Sequence, residues 1–208
     1  MILKNFIVFE GIDGAGTSTQ INILKNSPLA DKFFFTTEPT DSPTGKFLRS
    51  MLKGDVTLNP KTSAYLFAAD RCEHLWGTSG TNCGIEQKCN EGKIVISDRY
   101  LFSSLAYQSV TCGDILPRKL NDFFPLPQLL FFFEIEPEIS LTRIKQRETK
   151  EIYETVEFLK STEERYKKII EEYENLETAK EMKIIRIDAS QKKEKIADLI
   201  WNEISTIL

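Results

Sequence analysis

The sequence predicts a three-layer α/β fold, in which a largely parallel sheet of five strands lies between layers of helices. Two observations predict it. Apolar stretches of strand length alternate along the chain with stretches of helical spacing, as in parallel sheets with right-handed crossovers. Several strand-like stretches lack alternating polar residues, which indicates burial on both faces. The chain has 208 residues, so we expect a single domain over residues 1–208.

Each expected element follows from its local composition. The strands are apolar and rich in β-branched or aromatic residues, and they cover residues 4–10, 33–37, 93–98, 129–135 and 182–187. The longer helices cover residues 18–25, 45–53, 62–76, 155–180 and 192–206. The apolar side expected in the helix over 62–76 consists of Tyr65, Leu66, Ala68, Ala69, Cys72 and Leu75. Prolines predict a loop over 38–43, and a breaker-rich composition predicts a surface loop over 77–84.

The composition excludes several classes of protein. There are 27 Lys and Arg against 31 Asp and Glu, so the chain has no overall positive field for a nucleic-acid polymer. No apolar run reaches the roughly 18–20 residues of a membrane-spanning helix, and the first residues lack a secretory signal, so we expect a cytoplasmic protein without a membrane segment. His74 is the only histidine, and no C-x-x-C pair is formed by Cys72, Cys83, Cys89 and Cys112. This favours reduced structural thiols over a zinc site.

A glycine-rich segment lies between the first strand and the first helix. Residues 11–18 fit the phosphate-binding spacing G-x-x-x-x-G-K-S/T except at the lysine, where the chain has Thr17. Glycines at such a turn let backbone N–H groups face a polyphosphate, and the Ser18 hydroxyl is placed to bind Mg²⁺. The alternative is a turn without a ligand. The position between a strand and a helix favours phosphate binding.

Asp98 ends the third predicted strand, and Arg99 follows it. A carboxylate beside the phosphate loop can hold the hydration shell of Mg²⁺, and the adjacent guanidinium can bind an acceptor phosphate through two hydrogen bonds. The alternative is a surface salt bridge.

Five segments together resemble the thymidylate kinase family, which consists of P-loop nucleoside-monophosphate kinases. They are residues 9–16, 38–39, 66–71, 98–100 and 103–108, in the family's order. The resemblance spans nearly the whole chain and is more specific than a phosphate loop alone. It implies a P-loop NTPase fold with a helical lid, a homodimer, and phosphorylation of dTMP to dTDP by MgATP in dTTP biosynthesis.

The resemblance also assigns residues to the site. ATP would be bound by Gly11, Gly14, Ala15, Gly16, Thr17, Ser18, Thr19 and Arg143, and Mg²⁺ by Ser18 and Asp98. The acceptor dTMP would be bound by Asp13, Glu38, Pro39, Arg49, Phe67, Arg71, Arg99, Tyr100, Ser104, Tyr107 and Gln108. The catalytic residues would be Asp13, Arg99 and Arg147.

Base recognition needs a flat apolar surface and a few polar edge groups. By resemblance, Phe67 stacks on thymine, Arg71 and Gln108 bind its polar edge, and Ser104 assists. Taken singly, Phe67 also fits a core position and Arg71 a capping or solvated position.

The sugar and phosphate of the acceptor have their own residues in the resemblance. Arg49 and Arg99 hold the monophosphate, Asp13 faces the 3′-hydroxyl, and Tyr107 closes the sugar side. Asp13 also fits a simple turn. The chain has Thr37 where an arginine often precedes the family's glutamate, which puts one phosphate contact in doubt.

The expected lid covers about residues 143–156. It contains the cations Arg143, Lys145, Arg147 and Lys150. The family's acid–arginine pair in the lid reads Glu151-Ile152 here, so we take Arg147 as the lid cation. The alternative is a solvated helix face with ordinary charges.

Three functional hypotheses follow. The first is an active dTMP kinase. The second is a nucleotide-binding homologue with weakened transfer, because Thr17 and Ile152 replace expected cations. The third is a kinase for a deoxynucleoside or another monophosphate. The residues for base and phosphate recognition favour the first.

Overall fold

The structure is a computed structural model that describes residues 1–77, 84–145, 152–153 and 155–208. The strands in these ranges form one sheet: β1 (Ile2–Gly11), β2 (Phe33–Thr37), β3 (Ile94–Asp98), β4 (Leu126–Glu134) and β5 (Lys183–Asp188). Their order is β2-β3-β1-β4-β5, and neighbouring strands are parallel. This confirms the predicted five-stranded α/β sheet. The carboxyl ends of the strands therefore meet at one edge.

Helices flank the sheet: α1 (Thr17–Lys25), α2 (Pro43–Leu52), α3 (Pro60–Trp76), α4 (Ile85–Asn90), α5 (Leu101–Ser103), α6 (Ser109–Cys112), α7 (Ile115–Asn121), α8 (Pro137–Ile144), α9 (Val156–Asn175) and α10 (Lys193–Ser205). A π-helical turn, Ser104–Gln108, joins α5 to α6. Such turns occur frequently at functional sites. The helices α2, α3 and α9 begin where the side chains of Ser42, Asn59 and Thr155 accept hydrogen bonds from first-turn N–H groups.

The centre of the sheet is fully buried. Residues Phe6–Phe9 of β1 are 0% exposed, and Leu129–Phe133 of β4 are at most 1% exposed. The ring of Phe9 lies 5.0 Å from that of Phe131 and 5.7 Å from that of Phe133. This packed centre gives the loop after β1 a rigid support.

The loop after β2 is shorter than expected, because Pro43 is the first residue of α2 rather than part of the loop. Proline suits this position, since a first-turn N–H has no partner within the helix. Asp70 of α3 holds the loop, because its carboxylate accepts hydrogen bonds from Thr40 N at 2.8 Å and Ser42 Oγ at 2.9 Å. The loop is thereby fixed against α3.

The buried side of α3 is only partly apolar: Ala68 and Leu75 are buried as expected, but polar residues share that side. Tyr65 is 57% exposed and Ala69 is also exposed, whereas Asp70, Arg71 and His74 are buried. The partners of these polar residues lie at the end of β2 and in the loop after it or in neighbouring helices. Paired polar groups can be buried, and apolar spacing does not detect them.

Two predicted segments lie partly outside the described residues. The loop over 77–84 includes residues 78–83, and the lid over 143–156 includes residues 146–151 and 154. Among the helices that are described, none combines the length and the apolar character that crossing a membrane requires.

Candidate active site

A cleft of about 330 Å³ opens where the phosphate loop, the end of β3 and the loop after β2 meet. Most of the predicted site residues lie in its wall. They are Asp13, Gly14, Gly16, Thr17, Ser18, Thr19, Glu38, Pro39, Arg49, Phe67, Arg71, Asp98, Arg99, Ser104, Tyr107 and Gln108. One cleft thus contains residues assigned to ATP and residues assigned to the acceptor.

The segment between β1 and α1 has the backbone shape of an anion-binding turn. Gly14 and Gly16 have φ values of 81° and 100°, a region that favours glycine. A Cβ on Gly14 would lie 2.8 Å from the carbonyl oxygen of Ser140, so a side chain does not fit there. Gly16 directly precedes α1, so the free N–H groups of the first helical turn lie at this loop. Gly11 and Ala15 do not line the cleft, and a Cβ on Gly11 would lie 2.8 Å from the carbonyl oxygen of Phe133.

Ser18 and Asp98 lie together in the cleft. The Ser18 hydroxyl donates a hydrogen bond to Asp98 Oδ2 at 2.7 Å. Mg²⁺ prefers such oxygen ligands, and in nucleotide sites it binds one or two carboxylates together with phosphates and water. Over the described ranges, no group of three or more His, Cys, Asp and Glu side chains is arranged to hold a metal ion. The Ser18–Asp98 pair therefore fits a Mg²⁺ whose other ligands come from the nucleotide and water.

Arg99 is held in the cleft wall by Asp13. Its Nη2 lies 2.6 Å from Asp13 Oδ1, and the Tyr107 hydroxyl donates to Asp13 Oδ2 at 2.9 Å. Its Nη1 donates to the carbonyl of Gly11 at 3.1 Å and to Ser103 Oγ at 3.0 Å. The φ of Arg99 is 73°, a left-handed conformation that costs energy for a residue with a Cβ. Neighbouring groups therefore fix the guanidinium, which forms an ion pair with Asp13 in the cleft wall.

Arg71 and Glu38 form a buried ion pair at the other end of the cleft. Arg71 Nη2 lies 2.6 Å from Glu38 Oε2 and donates to Ser104 Oγ at 3.1 Å. Burial alone would raise the pKa of Glu38, but Arg71 and His74 outweigh it and lower the pKa. Arg71 Nε and Gln108 Oε1 are buried without a hydrogen-bond partner. Because unpaired buried polar atoms are costly, a ligand with a complementary polar edge would stabilise this wall.

Arg49 and Phe67 complete the acceptor side of the wall. Arg49 Nη2 donates to the carbonyl of Pro39, whereas Arg49 Nε is buried without a partner. Phe67 is partly buried against the residues of α2. Their assignments to phosphate and base stay predictions.

Tyr100 is a core residue, which corrects its assignment to the acceptor. It is 0% exposed and absent from the cleft wall. Its hydroxyl donates to the carbonyl of Pro125 at 3.0 Å, and its ring packs edge-on against Phe6. The side chain therefore points into the protein.

Arg143 also lies outside the cleft wall. Its Nη1 donates to the carbonyl of Gly14 at 3.3 Å and its Nη2 to the carbonyl of Ala189 at 3.0 Å. It thereby links α8 to the phosphate loop, and its contact with ATP stays a prediction. Arg147 and Lys150 lie outside the described residues.

The wall contains further residues that the sequence did not assign to the site. They are Ile12, Thr37, Leu52, Ser103 and Tyr153. The ring of Tyr153 stacks on that of Phe158 at 4.6 Å and lies 6.0 Å from that of Tyr107. The signal that could have identified Tyr153 was an aromatic residue at the edge of a charge-rich stretch.

Glu10 is a buried residue that helps to hold Arg99 in place through Ser103. Its carboxylate is 0% exposed and accepts hydrogen bonds from Tyr100 N at 2.8 Å, Ser103 N at 3.1 Å, Ser103 Oγ at 2.7 Å and the Tyr166 hydroxyl at 2.8 Å. Burial raises the pKa of Glu10 from its ordinary value of 4.5 to about 7, although Arg99 and these donors lower it. Since Ser103 also bonds Arg99, Glu10 helps to fix the guanidinium.

This pKa predicts a pH-dependent stability. Between pH 4.5 and 7 the unfolded chain loses the Glu10 proton while the native protein keeps it. The free energy of unfolding should therefore fall as the pH rises across this interval, by about 3 kcal/mol from this group. Glu10→Gln removes the titration, so urea denaturation should show the difference between wild type and variant changing across the interval and levelling above it. A constant difference would contradict the prediction.

Comparisons with known proteins agree with this geometry. Residues 9–200 match the family model described as thymidylate kinase. A protein from Treponema pallidum is 40% identical over 205 residues, which cover 98% of this chain and 96% of the relative. A protein from Methanocaldococcus jannaschii is 40% identical over 174 residues, 83% of this chain and 85% of the relative. Both are named provisionally as thymidylate kinases.

A third relative, from Leptospira interrogans, carries the name thymidylate kinase. It is 39% identical over 174 residues, which cover 79% of this chain and 81% of the relative. The residues that the family model matches include most of the phosphate loop, the acceptor side of the cleft and most of the sheet. The chain belongs to the thymidylate kinase family.

Proposed function

We propose that this chain transfers the terminal phosphoryl group of ATP to dTMP, giving ADP and dTDP for dTTP biosynthesis. One observation carries the proposal: the phosphate loop and the Ser18–Asp98 pair share a cleft with the acceptor-side residues. Phosphoryl transfer depends on positioning donor and acceptor and on neutralising charge, so both sites must be adjacent. Family membership supports the same reaction class, a nucleoside-monophosphate kinase.

The donor side would bind MgATP. Backbone N–H groups of residues 11–18 would hold the phosphates, and Ser18 and Asp98 would hold Mg²⁺. When bound, this ion supplies positive charge to the phosphate oxygens of ATP. The bond from Arg143 to the Gly14 carbonyl supports the loop.

The acceptor side would bind the monophosphate and sugar of dTMP. The phosphate would take hydrogen bonds from Arg99, now paired with Asp13, and from Arg49, which has an unpartnered Nε. Asp13 would keep its bond from the Tyr107 hydroxyl and accept one from the 3′-hydroxyl. The Arg99 charge, held in place by its neighbours, would thus lie against the acceptor phosphate.

The base would be selected by the far end of the cleft. Phe67 offers a flat ring, and Arg71 Nε and Gln108 Oε1 offer one donor and one acceptor without partners. Thymine presents the complementary pair, a carbonyl and a ring N–H. A guanidinium donates only, so it favours the C4 carbonyl of thymine over the C4 amino group of cytosine.

The alternative of weakened transfer rests on Thr17 and Ile152. Thr17 lines the cleft and carries no charge, so another cation must neutralise the β- and γ-phosphates. We propose Arg147 of the lid for this role. The intact acceptor wall and family membership favour an active kinase.

We further propose a single domain over residues 1–208 with a lid over about 143–156, and a homodimer in the cytoplasm. The resemblance to the family and the length of the chain support these proposals. Sedimentation equilibrium tests the dimer.

An acceptor panel tests the proposed function. Initial rates of ADP release, measured by coupled NADH oxidation, should give dTMP a kcat/KM at least about 100-fold above those of dCMP and purine monophosphates, because a wrong base leaves buried polar groups unpaired. Thymidine should be a poor acceptor, since it lacks the phosphate for Arg49 and Arg99.

Other results of the acceptor panel would contradict the proposal or favour a different function. Equal efficiency across the panel would contradict the proposal. A higher rate with thymidine would favour a deoxynucleoside kinase. Absence of any dTMP-dependent ADP release, with retained nucleotide binding, would favour the nucleotide-binding homologue.

A further inference from the structure

A series of buried polar contacts leads from β2 to the acceptor wall. Thr36 Oγ1 lies 2.6 Å from His74 Nε2, and His74 Nδ1 lies 3.0 Å from Glu38 Oε1. The other carboxylate oxygen of Glu38 binds Arg71 at 2.6 Å. His74 is 5% exposed and does not line the cleft. It therefore reaches a ligand only through Glu38 and Arg71.

The direction of the hydrogen bond between His74 and Glu38 is determined. Glu38 forms a buried ion pair with Arg71 at 2.6 Å, and an ionised carboxylate only accepts hydrogen bonds. His74 Nδ1 must therefore donate to Glu38. When the imidazole is neutral with its proton on Nδ1, Nε2 accepts a hydrogen bond from the Thr36 hydroxyl. Both ring nitrogens then have a partner.

These buried hydrogen bonds restrict the orientation of Arg71. One Nη group donates to Asn121 and the other to Glu38 and Ser104. The guanidinium lies 5.3 Å from the ring centre of Tyr100 and 5.5 Å from that of Phe124. Nε is the part of the group without a partner. The direction of Nε–H is thus set by the bonds at the other end of the guanidinium plane.

We propose that His74 is a positioning residue for base selection, acting by holding Glu38 against Arg71. This inference rests on the proposed function, in which Arg71 faces the polar edge of thymine. Loss of the His74 bond frees one carboxylate oxygen of Glu38, and the carboxylate can then rotate together with the guanidinium. Arg71 would then distinguish less well between a carbonyl and an amino group at C4 of the pyrimidine.

The test compares two variants of His74. His74→Leu removes the donor to Glu38, whereas His74→Asn keeps an N–H near the place of Nδ1. In His74→Leu the ratio of kcat/KM for dTMP to that for dCMP should fall at least about tenfold, mainly through a higher KM for dTMP, while kcat for dTMP stays within about threefold. His74→Asn should recover most of the ratio.

A matched control separates positioning from stability. Leu75 is the buried neighbour on α3 at 0% exposure, and it does not line the cleft. Leu75→Val should lower the Tm and leave the dTMP to dCMP ratio unchanged. A ratio in His74→Leu within about twofold of wild type, with a Tm shift like that of the control, would overturn the inference.

If His74→Leu does not fold, a second variant tests the role of His74. Thr36→Val removes the hydroxyl that orients Nε2 at nearly constant volume, and the ratio should fall at least about threefold. An unchanged ratio in Thr36→Val would then overturn the inference. Failure of wild type to phosphorylate dTMP would instead refute the proposed function, so the two failures are distinguishable.

Discussion

Replacing Arg99 with alanine is expected to lower kcat/KM for dTMP by about 10²–10³-fold, the usual effect of removing one preorganised donor from developing charge. The guanidinium lies in the cleft wall and is oriented by Asp13, Ser103 and the Gly11 carbonyl. These neighbours fix its position before a substrate arrives. Its side chain is 24% exposed, so a substrate in the cleft can reach it.

Steady-state kinetics and thermal unfolding of Arg99→Ala check this prediction together. Alanine at a φ of 73° is no more strained than arginine, so the backbone strain is unchanged. Arg99→Lys is the control, because it keeps the charge and loses the planar pair of donors, and it should recover only part of the activity. Near-normal kinetics in Arg99→Ala would contradict the assignment to the phosphate.

Replacing Arg147 with alanine is expected to reduce transfer nearly to zero. The phosphate loop has Thr17 in place of its lysine, and a hydroxyl supplies one hydrogen bond but no charge to the β- and γ-phosphates. In the proposed mechanism, Arg147 of the lid supplies the missing cation. Thr17→Lys in the Arg147→Ala background should restore part of kcat, because both residues would stabilise the same charge.

A double-mutant cycle checks this compensation. If Thr17→Lys and Arg147→Ala act on the same charge, their effects on kcat/KM should be non-additive. Arg143→Ala is the comparison, because Arg143 supports the loop through bonds to the carbonyls of Gly14 and Ala189. Thr17→Lys should rescue it less than it rescues Arg147→Ala. Strictly additive effects with Arg147→Ala would reject the compensation and strengthen the hypothesis of weakened transfer.

The sequence by itself determined the sheet and the segments that meet at the cleft. Apolar strands separated by helices specify a parallel sheet, and parallel strands bring their carboxyl ends to one edge. The segment 11–18, Glu38 and Asp98 all follow or end such strands, so they must meet there. Composition and spacing were sufficient to predict the sheet, the phosphate loop and the position of Asp98, whereas the resemblance to the family assigned the acceptor residues.

Only the tertiary structure decided which way individual side chains point. Tyr100 follows Arg99 in the chain, yet it packs in the core while Arg99 lines the cleft. The sequence pattern does not distinguish Glu10, Asp70 and His74 from ordinary polar residues. The packing of β1 and α3 nevertheless buries each of them with its partners.

These differences have one physical reason. A buried polar side chain is stabilised by hydrogen-bond partners that are distant in sequence, as Tyr166 is from Glu10 and Thr36 is from His74. Apolar spacing records only which residues avoid water. It contains no information on which polar groups will meet, because that depends on how the helices pack against the sheet.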